Sequence, residues 1–96
     1  MNGLKRRRRK NHRAASVADL VEDYFGVWLR GCELGHRSVE ALGFDGAMDA
    51  LWESLNAGFI KLEANSEGFT GIKPCFPPQP PEKQLARPST RRWADA

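Results

Sequence analysis

No acidic residue occurs among the first 15 positions of this 96-residue chain, and no Lys or Arg occurs between Gly46 and Gly58. No apolar run approaches the roughly 20 residues that a membrane-spanning helix needs. The basic start is not followed by an apolar signal-type stretch, so the reading is an intracellular protein, cytoplasmic or nucleoid-associated. Cysteine is scarce. Cys32 and Cys75 are the two present, too few for a disulfide framework, and free thiols are expected. Cys32, His36 and Cys75 lack a fourth zinc ligand and a close-spaced Cys pair, which argues against a metal site. Cys32 and His36 have the spacing of a nucleophile and base on a helix end, yet no third orienting group or oxyanion site accompanies them. The glycines are dispersed singly and form no phosphate-cradling loop. The expectation is a protein that is not an enzyme and has no metal or cofactor.

What the chain has is charge sorted along its length. Lys5, Arg6, Arg7, Arg8, Arg9, Lys10 and Arg13 open it. Residues 16–76 carry ten acids against four bases, and residues 77–96 carry four bases against two acids. A formal net charge of +3 therefore describes basic termini on an acidic middle. Like charges repel, and only Leu4 offers apolar surface in the opening stretch, so residues 1–15 read as a disordered arginine-rich arm. Such an arm suits DNA or RNA phosphates. It would also serve as a solubilising tail or an import signal.

Residues 16–76 hold the apolar content of a single small domain. Ser16 with Asp19 forms a helix start. Wound at 100° per residue, Val17, Leu20, Val21, Tyr24, Val27 and Trp28 share one side, with Phe25 and Leu29 widening the arc. Asp19, Glu22, Asp23 and Gly26 fall opposite. This predicts a helix over residues 17–30, ending near Gly31 or Gly35. Ser38 is expected to cap a short second helix closed by Gly43, and Asp45 a third over residues 46–57. Met48, Leu51, Trp52 and Leu55 face inward on the third helix, and residues 56–58 stop it. From Phe59 to Ala64 the period changes to two, as in a half-buried strand. A turn at residues 65–68 and a second strand over residues 69–76 complete a β-hairpin. The core is read as Val17, Leu20, Val21, Tyr24, Trp28, Leu51, Trp52, Leu55 and Ile60. Five prolines between Pro77 and Pro88 exclude helix and strand, so residues 77–96 read as a disordered Pro-rich tail.

The stretch Ser38-Val-Glu-Ala-Leu-Gly43, the pair Ala50-Leu51, Leu55, and Ala57-Gly58-Phe59-Ile60 together resemble the winged helix-turn-helix family over residues 16–76. The resemblance implies an α+β fold of three helices and a hairpin, a third helix in the DNA major groove, and a wing on the backbone. Asp49 and Glu53 on that third helix oppose groove reading, since DNA carries one negative charge per about 1.7 Å of axis. They suit a basic protein partner instead. The wing offers Lys61 and Lys73 to phosphate. Arg87, Arg91 and Arg92 form a weaker basic patch near Trp93, which could stack on a base or meet a protein.

The leading expectation is thus a nucleic-acid-associated regulator. Its nucleic-acid contacts are Lys5–Lys10, Arg13, Lys61, Lys73, Arg91 and Arg92, with a protein partner met by Asp49, Glu53 and Trp93. The alternatives are a small inhibitor or adaptor of the phage or mobile-element kind, binding a nucleic-acid-processing enzyme, and a subunit of a nucleoprotein assembly.

Overall fold

The computed structural model describes residues 16–88. Helix α1 spans Val17–Gly31, helix α2 Glu33–Ala57, strand β1 Ile60–Asn65 and strand β2 Gly68–Pro74. Ser16 caps α1 as its sequence dictates. Its Oγ accepts the Asp19 amide at 3.2 Å, and Asp19 Oδ2 accepts the Ser16 amide at 3.1 Å. These bonds satisfy donors that the first helical turn leaves open.

The expectation of three helices over residues 16–76 is corrected here: among the described residues there are two, followed by the antiparallel hairpin. Helix α2 starts at Glu33 rather than at Ser38, because Cys32 is its cap, with Sγ accepting the Gly35 amide at 3.2 Å. Ser38 sits inside the helix and donates its hydroxyl to the Leu34 carbonyl at 3.0 Å. The expected linker between second and third helices shrinks to Gly43, which leaves helical geometry at φ 77, ψ 163 and kinks α2. Glycine takes that conformation without a Cβ clash, so no further loop residues are needed.

The core lies between α1 and the second limb of α2. Val21, Phe25, Leu29, Ala47, Met48 and Trp52 are buried, and the Phe25 and Trp52 rings meet edge-on at 5.6 Å. The buried sector of α1 is therefore rotated from the expected one. Val17 and Leu20 are 59% and 51% exposed, so neither belongs to the core as expected. Tyr24, Trp28, Leu51, Leu55 and Ile60 pack half-buried at its margin. The reason is that two elements share the apolar arc of α1. Helix α2 covers Val21, Phe25 and Leu29, while the hairpin reaches Tyr24 through Phe69 at 5.6 Å between rings.

In the hairpin, Ile60 pairs with Pro74, Lys61 with Lys73, and Leu62 with Ile72, with a bulge between Glu63 and Ala64. Ile60 and Leu62 turn inward and Lys61 and Glu63 outward, the period-two pattern expected, but Ala64, expected inward, is exposed because the bulge interrupts the alternation. From Cys75 to Pro88 the described chain has no helix or strand, in keeping with its prolines, but residues 77–88 are tied to the body. The Gln79 amide donates to the Gly58 carbonyl at 2.9 Å. Gly58 is left-handed at φ 88, and a Cβ there would lie 2.2 Å from Pro80 N. Both the helix stop and the crossing of residues 79–80 thus require glycine at this position.

Candidate functional site

The best-built polar cluster joins three distant parts of the chain. Glu22, on α1, is 1% exposed. Its Oε1 accepts the Trp52 indole Nε1–H at 2.7 Å. Arg87 lies against the same carboxylate, with Nε donating to Oε1 and Nη2 to Oε2, both at 3.2 Å. Nη2 also donates to Asp45 at 2.8 Å, and Nη1 donates to Asp49. A buried carboxylate is costly unless paired and hydrogen-bonded, and here both conditions are met. Burial opposes the Arg87 charge, but the bonds to Asp45, Glu22 and Asp49 outweigh it, so the guanidinium is held charged more firmly than an ordinary arginine.

This cluster corrects two expectations. Glu22 does not share a solvated helix face, because Trp52 and Arg87 supply the bonds that water would otherwise give. Arg87 is not part of a free basic patch; three carboxylates of the body hold it. The segment leading to it is seated on α2. Asn56 Nδ2 donates to the Leu85 carbonyl at 2.8 Å, and Asn56 Oδ1 accepts the Leu85 amide at 2.9 Å. Gln84 Nε2 donates to the Asn56 carbonyl at 3.0 Å, and Leu85 packs against the core cluster.

The expected contact residues are scattered. Lys61 and Lys73 stand directly opposite each other on the outward face of the hairpin, both exposed. Asp49 and Glu53 are exposed on α2, but Asp49 is engaged by Arg87. Lys5–Lys10, Arg13, Arg91, Arg92 and Trp93 lie outside the described residues. Elsewhere, an apolar groove of about 360 Å³ opens between α2 and the hairpin, lined by Trp28, Leu34, Leu51, Ile60, Ile72 and Pro74.

The cysteine and histidine positions do not assemble a reactive pair. Cys32 Sγ caps α2 and lies 3.4 Å from the Trp28 carbonyl, while His36 Nε2 donates to the Arg30 carbonyl at 2.7 Å. Among the described residues no group of three His, Cys, Asp or Glu side chains is placed to hold a metal ion. Among the same residues no helix is long and apolar enough to cross a membrane.

Glu22, Asn56, Leu85 and Arg87 are the positions that sequence reasoning did not join. The available signal was slight: Glu22, read as lying opposite the apolar arc, directly follows Val21 and precedes Phe25 by three positions, and Leu85 is the one large aliphatic residue among the prolines of the tail. Comparison with family models, with curated proteins and with solved structures finds no match to this chain.

Proposed function

We propose that this protein is a non-enzymatic, nucleic-acid-associated regulator whose arginine-rich segment, Lys5–Arg13, neutralises most of the phosphates it meets, its folded body adding only a minor contact. The division of charge carries this reading. Residues 1–15 hold seven bases and no acid, whereas residues 16–88 hold eleven acids and six bases. Three of the body's six cations are committed. Arg37 pairs with Glu33, Arg87 is bound by three carboxylates, and Arg30 lies over the Phe44 ring at 5.2 Å. A net negative body repels a polyphosphate, so attraction resides in the arm.

Lys61 and Lys73 supply a secondary contact. Like charges directly opposite on an antiparallel pair repel. A phosphate placed against both would relieve that repulsion. Nothing in either feature reads a base edge, so sequence preference would come from a partner or from nucleic-acid shape.

The test compares two full-length variants in equilibrium binding to a duplex DNA and to a single-stranded RNA. Replacing the seven arm bases with glutamine is expected to abolish binding to both. Replacing Lys61 and Lys73 with glutamine is expected to weaken it by less than about tenfold, two contacts of several being lost. Undiminished binding by the arm variant would refute the proposal.

A further inference from the structure

Residues 84–87 lie on α2 in the manner of a bound peptide. Asn56 grips the Leu85 main chain through both its amide and its carbonyl. The Leu85 side chain enters an apolar site continuous with the core. Two residues on, the Arg87 guanidinium enters a charged site whose floor, Glu22, is buried and fixed by Trp52. Main-chain bonds plus pockets for alternate side chains are how folded domains read short extended segments. The chemistry read here is an aliphatic residue, any residue, then arginine.

The chain's own segment fills this site incompletely. An open cavity of about 480 Å³ remains beside Gln84–Arg87, walled by Asp49, Trp52, Glu53, Asn56 and Ala57. Ala86 borders that cavity with a single methyl group. Three carboxylates also face one guanidinium, and Asp45 and Asp49 are still 56% and 58% exposed. A longer cationic side chain at the position of Ala86 would occupy the cavity and meet Asp49 and Glu53.

We propose that this face of α2 is a docking site for an extended basic segment of a partner protein, with the pattern aliphatic–basic–Arg, and that residues 84–87 are a resident substitute which the partner displaces. The linker supports exchange. Pro77, Pro78, Pro80 and Pro81 keep the approach extended, and residues 84–87 belong to no helix or strand, so a partner's arginine can take the place of Arg87 on Glu22 without rearranging α1, α2 or the hairpin. The tether gives the resident segment an effective concentration of order millimolar, which a partner must exceed through the added contacts.

The test uses the full chain, labelled with 15N, and a synthetic peptide of residues 82–88 in which Ala86 is replaced by lysine. The Trp52 indole N–H reports occupancy, because it donates to the carboxylate that binds the arginine. In the Leu85→Ser/Arg87→Gln chain, where the resident segment is disabled, the peptide is expected to shift this resonance saturably. Its affinity should be at least about tenfold above that for the unaltered chain. A peptide with glutamine in place of the arginine should leave it unmoved. Absence of a saturable shift at millimolar peptide, in a variant that retains helical circular dichroism, would overturn the proposal. Should that variant fail to fold, the unaltered chain decides. Peptide excess should move the Leu85 amide resonance toward that of a solvated chain, and an unmoved resonance rejects partner docking. Exchange of residues 84–87 between copies, seen as concentration-dependent dimerisation, would assign the face to a second copy and overturn the assignment to a partner.

Discussion

Replacing Arg87 with methionine keeps most of the side-chain volume and removes the guanidinium. Glu22, 1% exposed, is then left with the Trp52 indole as its remaining described partner. Removing one member of a buried ion pair costs about 3–5 kcal/mol, because the other charge stays desolvated. The lower end applies here: Arg87 retains 19% exposure, so water reaches part of the vacated space. The contacts to Asp45 and Asp49 add little, since exposed pairs contribute about 0–1 kcal/mol each. The expected loss is therefore about 3 kcal/mol, or a fall in Tm of roughly 12–24 °C for a domain of this size. Urea unfolding followed by circular dichroism measures it. A double-mutant cycle with Glu22→Gln isolates the pair, and a coupling of about 2–3 kcal/mol is expected. An Arg87→Met chain within about 0.5 kcal/mol of the parent, or additive single and double variants, would refute the reasoning that Arg87 stabilises a buried carboxylate.

Three other substitutions probe separate parts of the structure. Gly58→Ala must adopt φ 88 and displace the backbone at Gln79 and Pro80, so a loss of about 2 kcal/mol or more is expected in the same unfolding assay. Asn56→Ala deletes both bonds to the Leu85 main chain at a cost of about 2 kcal/mol, and hydrogen exchange at the Leu85 amide should quicken while that of the α1 core amides keeps its rank. Lys61→Glu replaces a like-charge pair with an opposite one. It should stabilise the hairpin by about 0.5 kcal/mol in thermal unfolding and weaken polyanion binding in titration, opposite signs in two assays.

Local rules reached far along this chain where each residue's partner was close in sequence. The Ser16–Asp19 cap, the end of α1 at Gly31, the stop at Gly58 and the change to period two at Ile60 all follow from neighbours within four residues. The expectation of a separate short helix failed at Gly43 because one glycine in an extended, positive-φ conformation turns the chain without a loop, and composition does not distinguish that from a helix end. Val17 and Leu20 were misplaced because an apolar arc gives no sign of how many elements will cover it. The polar cluster was out of reach for a different reason. Glu22 and Arg87 are 65 positions apart, and each alone has the appearance of an ordinary solvated charge. Only the packing of α2 brings Trp52 onto Glu22 and Asp45 and Asp49 onto Arg87, and makes burial of the carboxylate tolerable.

The division of charge is tested most directly by measuring how the affinity of the full-length chain for duplex DNA depends on salt. If five to seven arm cations neutralise phosphates, log K should fall against log salt concentration with a slope between about −4.5 and −6.3. A slope near zero, with binding persisting at high salt, would show that the basic arm is not what holds nucleic acid.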